Sequence, residues 1–278
     1  MKLKQFHVQL THRFQGPEFS DPGFEARQLI QAALNISAID FVREGERELS
    51  QHEISRLQEW SIQRLSGMPL AYLSGKKGFF KASFFVEPGV LVPRPESEMV
   101  VEAALQFRSL RQMADFGCGS GCIGLSILQE CPGAYLFAVD VSPVAIRVTN
   151  RNATALNLAS RVSVVQSKIE DWSSPVGLDL VVANPPYIAQ GDMRVQRSVH
   201  EFEPHTALFS GPSGLEAIAA WSAKAYSALN DGGGFVCEIG AGQTSDARAI
   251  LERIGFTEIE IRCDLAGIER VLVARRRN

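Results

Sequence analysis

Between positions 112 and 274 short apolar runs alternate with stretches of helical periodicity. Strands are predicted at 112–116, 135–140, 162–166, 178–183 and 234–240, and helices at 121–131, 142–157, 214–229 and 243–254. Two further strands, near 256–262 and 268–274, follow the last helix and can pair as a closing hairpin. Apolar strands separated by helices are what a parallel sheet covered on both faces requires. The expected fold is therefore α/β, a doubly wound, Rossmann-like sheet of seven strands. Its binding crevice should lie above the first of them, where strand order reverses.

Upstream the period changes. Residues from about 20 to 74 read as helical: Asp21-Pro22 can start a helix, and Leu29, Ile30, Ala33 and Leu34 keep helical spacing. Ser50 and Glu53 fit a capping box, and Ile54, Leu57 and Trp60 extend an apolar stripe beyond it. Gly67-Met68-Pro69 ends that helix, and Gly75-Lys76-Lys77-Gly78 reads as a linker or turn. Positions 79–86 and 90–92 read as a β-hairpin turning at Pro88-Gly89, after which 93–98 opens a helix to about Phe107. The expected organisation is a small helical domain over 1–74, a linker and hairpin over 75–93, and the α/β domain over 94–278.

Composition narrows the function classes. An apolar share of 45% with 21% charged residues is ordinary for a globular chain, and a net charge of −3 provides no global positive field for nucleic acid. No apolar run approaches membrane-spanning length, and Met1-Lys2-Leu3-Lys4 is not followed by an apolar signal core. The five cysteines lack paired spacing and a histidine pattern, so neither zinc nor a disulfide framework is expected. His200 and His205 flank an acidic stretch without metal-ligand spacing. A reducing cytoplasm is the expected location, without a membrane or a direct nucleic-acid substrate.

The chemistry begins where the first predicted strand ends, in Asp115-Phe116-Gly117-Cys118-Gly119-Ser120-Gly121. Glycines let the backbone approach a ligand, and the following helix presents free N–H groups. Asp140 ends the next strand, where a carboxylate can accept both hydroxyls of a ribose. Loop and acid together specify a nucleoside-containing cofactor and leave a nicotinamide and S-adenosylmethionine both open. GxGxG directly after the strand favours the second. Asn184-Pro185-Pro186-Tyr187 decides between them. The Asn184 side-chain oxygen and the Pro185 carbonyl can accept the two N–H bonds of a planar amide. The nitrogen lone pair then points at a methyl group, and the Tyr187 ring can stack on the planar group.

At these residues the chain resembles the class I S-adenosylmethionine-dependent methyltransferases. Among them it is similar to the family that methylates the glutamine N5 of peptide chain release factors. The resemblance runs through 68–75, 90–98, 115–121, Asp140, 184–187, 202–208, 214–216 and 264–271. It implies an enzyme with S-adenosylmethionine as cofactor and the release factor's Gly-Gly-Gln glutamine as acceptor. It also implies that 1–74 docks the factor and that 94–278 is the catalytic domain. Gly117, Cys118, Gly119, Ser120, Gly121 and Asp140 would bind the cofactor, and Asn184, Pro185, Pro186 and Tyr187 the glutamine amide. Positions 93–98 would cover the cofactor, with Arg94 open between that task and a surface helix start. A monomer is expected.

One departure bears on the adenine. Lys168 occupies the position where relatives carry an acid, and Ile169 that of the neighbour whose N–H meets the ring; Trp172 is open between packing and an adenine contact. Two rivals share Asn-Pro-Pro-Tyr: ribosomal-protein glutamine methyltransferases and nucleic-acid adenine N6-methyltransferases. Pro93-Arg94-Pro95-Glu96 speaks against the first, and the acidic charge balance against the second.

Overall fold

The computed structural model describes residues 1–192 and 196–277, and Met1–Gly75 and Lys76–Asn278 form two compact units. The first unit is helical: α1 (Leu3–Arg13), α2 (Pro22–Leu34), α3 (Ala38–Arg43), α4 (Gln51–Leu65) and α5 (Leu70–Ser74). Asp21 caps α2 by accepting the Phe24 N–H at 2.9 Å. At the start of α4, Ser50 and Glu53 form the expected box, the Ser50 N–H donating to Glu53 at 2.8 Å. Helix α1 was not predicted. Its buried Leu3, Phe6 and Leu10 follow one helical face and join Leu29, Ile30 and Leu57 in a common core.

The second unit opens with a hairpin of β1 (Lys76–Phe79) and β2 (Ala82–Phe85), paired antiparallel. It turns at Phe80-Lys81, where Phe80 has φ 53°, so the expected turn at Pro88-Gly89 is corrected. Lys76–Gly78 is likewise strand rather than linker. The physical reason lies at Val92. Its N–H donates to the Glu203 carboxylate at 3.0 Å and that of Val90 to the Glu87 carbonyl at 3.2 Å, so both are satisfied without a partner strand.

The remaining elements are α6 (Glu98–Ala104), β3 (Gln112–Phe116), α7 (Cys122–Glu130), β4 (Tyr135–Asp140), α8 (Pro143–Ala155), β5 (Val162–Gln166) and β6 (Leu178–Ala183). Then come α9 (Arg197–Phe202), α10 (His205–Leu208), α11 (Glu216–Ala228), β7 (Leu229–Glu238), α12 (Thr244–Ile254), β8 (Phe256–Cys263) and β9 (Glu269–Arg276). Seven strands form one sheet in the order β5-β4-β3-β6-β7-β9-β8, parallel except for β9. The chain runs outward from β3 to β5 and then returns to place β6 beside β3, so the order reverses above β3. Alternate residues feed two cores: Met113, Leu180 and Val182 on one face, Ala114, Val181 and Ala183 on the other. Among the described residues no helix is long and apolar enough to cross a membrane.

Close packing pins α7 to the sheet. A Cβ on Gly124 would lie 2.8 Å from an Asp115 carboxylate oxygen and 2.9 Å from Leu136. Gly124→Ala should therefore cost about 1–3 kcal/mol by overpacking, read as a lower urea midpoint at unchanged slope.

Candidate active site

The site sits on the carboxyl edge of the sheet. After β3 the chain enters the glycine loop with Gly117 at φ +71°, and a Cβ there would stand 2.5 Å from the Trp221 ring of α11. Only glycine allows the strand to leave the sheet in that direction beneath the indole. The Gly119 and Ser142 N–H groups donate to the two oxygens of Asp140, each at 2.9 Å, tying the loop to the end of β4. Burial pushes the Asp140 carboxyl up, against those backbone donors. Thr149 on α8 holds the Gly119 carbonyl at 3.0 Å.

The loop floors a cavity of ≈ 290 Å³. Gly117, Cys118, Gly119, Ser120 and Asp140 border it, as do Asn184 and Pro186 from the turn after β6. Gly121, Pro185 and Tyr187 are not among its lining residues. Cys118 and Cys122 show the cavity their buried side: burial pushes both thiols up, Cys122 to about 12. Lys168 and Ile169 line the far wall, Lys168 exposed and Ile169 buried. Trp172 is a packing residue, edge-on to Phe116 at 5.7 Å and beside Phe137.

Two braces hold the turn and the rim. The Gln243 amide donates to the Tyr187 carbonyl at 2.9 Å and accepts the Gly240 N–H at 2.9 Å. Glu203, its side chain 1% exposed, takes the Val92 N–H and pairs with Arg94 at 2.5 Å. Arg94 thus pairs with the 202–208 segment at the cavity rim while also standing at the start of the short 3-10 turn Pro95–Ser97.

The turn itself is wired inward. The Asn184 amide nitrogen donates to the Ser97 hydroxyl at 3.1 Å, and Ser97 donates to Glu238 at 2.5 Å. The Tyr187 hydroxyl donates to the other Glu238 oxygen at 3.2 Å. Burial pushes Glu238 up, opposed by these two hydroxyls and by Arg270. Glu238, Gln243 and Trp221 were not singled out from the sequence. The available signal was an acid at the carboxyl end of a predicted strand. Among the described residues no group of three or more His, Cys, Asp or Glu could hold a metal ion.

Residues 96–208 match the methyltransferase small domain family, and 7–75 the PrmC N-terminal domain family. A release factor glutamine methyltransferase of Koribacter versatilis is 34% identical, with 99% of each chain covered. The enzyme of that name from Bordetella pertussis is 36% identical over 91% of this chain and 95% of its own. The chain belongs to the release factor glutamine methyltransferase family. As a fold, this methyltransferase is similar to a T. thermophilus 16S rRNA methyltransferase solved with AdoMet and guanosine (TM-score 0.53, 20% identity, 73% of this chain and 50% of that one). It is also similar to a ribosomal protein methylase from Lactobacillus delbrueckii (TM-score 0.51, 18% identity, 69% and 84%).

Beneath the methyltransferase's loop, burial lifts Asp115 from 3.8 to about 7, against the Gly124 N–H it accepts at 2.9 Å, with Asp140 adding repulsion. The folded chain therefore holds this proton more tightly than the unfolded one. The associated stability is complete below about pH 4 and is lost as pH rises through about 7. Asp115→Asn keeps the acceptor without the charge. Its stability relative to wild type should grow by roughly 2–4 kcal/mol between pH 4 and 8, measured by urea unfolding at each pH.

Proposed function

We propose that this methyltransferase moves a methyl group from S-adenosylmethionine to the side-chain amide nitrogen of the glutamine in a release factor's Gly-Gly-Gln loop. The observation that carries this reading is Asn184: it borders the cavity with its amide N–H already given to Ser97, so its carbonyl oxygen is left to accept. The names of the relatives support the acceptor.

The residues present fit the cofactor. The glycine floor has no Cβ to fill the cradle, and Asp140 stands at its edge as a carboxylate for ribose hydroxyls. Gly117, Cys118, Gly119, Ser120 and Gly121 would hold it with Asp140 and the Ile169 backbone. Bound there, S-adenosylmethionine supplies a methyl group on a positively charged sulfur, which leaves as a neutral thioether. The rest is done by the chain. Asn184 and the Pro185 carbonyl accept the amide's two N–H bonds and fix the plane of the nitrogen. Both acceptors become more favourable as positive charge develops on it, and Tyr187 flanks the group. The nitrogen sheds one proton to water after transfer, when it is acidic, so no strong base is needed.

In this reading the helical unit docks the factor. Its α3 buries none of its residues and exposes Ile39 (76%) and Val42 (78%), apolar side chains suited to a protein partner. The enzyme acts as a cytoplasmic monomer on protein, not nucleic acid.

Labelled methyl transfer to a purified release factor, to its Gly-Gly-Ala variant and to duplex DNA tests this. Label is expected on the first alone, and label on DNA would overturn it. Asn184→Ala should lower kcat by about 10²–10³ while leaving cofactor affinity intact. Asp140→Ala should weaken cofactor binding about 10–100-fold by calorimetry, the worth of charged hydrogen bonds.

A further inference from the structure

We infer that Ser97 and Glu238 are positioning residues, forming a one-way hydrogen-bond relay that turns the Asn184 amide so that its oxygen, not its nitrogen, meets the substrate. The inference deepens the proposed function and rests on Asn184 as the acceptor.

An asparagine amide has nearly the same shape with its oxygen and nitrogen exchanged, so packing alone does not choose between the two orientations. The wrong one would set N–H donors against an amide nitrogen that already carries hydrogens and is gaining positive charge. Something must fix the polarity. The Ser97 hydroxyl has a single proton and lies 2.5 Å from Glu238. Burial disfavours the charge on Glu238, while the Ser97 and Tyr187 hydroxyls and Arg270 favour it. In the ionised form that these donors hold, it has no proton to give, so the serine proton goes to it. Only lone pairs then remain for Asn184, whose NH₂ must turn toward Ser97 at 3.1 Å. Tyr187 donates to the other carboxylate oxygen at 3.2 Å, so both oxygens of Glu238 act as acceptors.

The relay is assembled from distant parts of the chain: Ser97 lies 141 residues from Glu238 and Tyr187 lies 51. Ser97 and Glu238 lie in the interior, each 2% exposed, and Tyr187 is half-buried. The charges facing the carboxylate are Arg270, which favours its ionised form, and Glu96, which opposes it. Arg270 is itself oriented by Asp264 at 3.1 Å. A buried acid with two donors and a nearby guanidinium is a fixed point against which a side-chain amide can be oriented.

The test is a double-variant cycle on the full chain with purified release factor: wild type, Ser97→Ala, Ser97→Thr, Glu238→Gln, Asn184→Ala and Ser97→Ala/Asn184→Ala, reading kcat, KM and cofactor affinity. Ser97→Ala should lower kcat by about 10–100-fold with cofactor affinity within about twofold, as expected for a misplaced reacting group. Ser97→Thr, which keeps the hydroxyl, should recover most of it, whereas Glu238→Gln, which can donate, should not retain wild-type kcat. In the Asn184→Ala background the loss from Ser97→Ala should vanish. Losses that multiply, or wild-type kcat in Ser97→Ala, would overturn the relay. A substrate-free measurement separates this from the function: the Asn184 side-chain ¹H–¹⁵N resonances should move on Ser97→Ala, and unmoved resonances would overturn the relay. Moved resonances with no label on the release factor would sustain the relay and reject the acceptor.

Discussion

The register of four parallel strands is the constraint from which the site follows. Phe116 lies beside Ala183 and Val139, and Ala183 beside Cys237. The next residues along, Gly117, Asp140, Asn184 and Glu238, therefore stand at one level along the sheet. A parallel ladder cannot slip by one residue without turning each buried side chain to the opposite core. Hydrophobic burial on both faces thus fixes the relative heights of a glycine turn, the carboxylate that ends β4, an amide and a buried acid. None of them is adjacent in sequence.

Above the sheet the organising device is the carboxylate used as a partner for stranded backbone. Asp115 takes the Gly124 N–H, Asp140 those of Gly119 and Ser142, Glu203 that of Val92 and Glu98 that of Phe80. Asp179 does the same for Arg111 and Gln112 at the opposite edge. Loops that leave a parallel sheet have N–H groups no neighbouring strand can reach, and leaving them unpaired in the interior is costly. Asp140 and Glu203 in this way let irregular segments lie close to the cavity without a ladder of their own.

The repeating part of the molecule was legible in the sequence because hydrophobic period reports burial, and burial on two faces leaves continuous apolar runs. All seven strands of the sheet follow from that pattern, and the glycine loop from the GxGxG residues that end the first of them. What escaped it depends on contacts between remote residues. The stretch 90–92 has a strand's composition, yet the Val92 N–H is satisfied by Glu203, 111 residues away. Helix α1 spaces Leu3, Phe6 and Leu10 much as α4 spaces Ile54, Leu57 and Trp60, but it starts at Lys2, without the acceptor side chain that Asp21 and Ser50 supply to α2 and α4. Trp172 could be settled only once Phe116 and Phe137 stood on either side of it. Glu238 belongs to no short motif, and its meaning comes from Ser97 and Tyr187.

The two loop cysteines have a bearing on the enzyme's own survival. A cleft built for an electrophilic methyl group is hazardous for any sulfur nucleophile on its wall, and the attacking species is the thiolate rather than the thiol. Cys118 and Cys122 border that cleft, but the same burial that lifts their proton affinities leaves a vanishing thiolate fraction at neutral pH. The apolar surroundings that make the loop a cradle thereby guard it against alkylating itself.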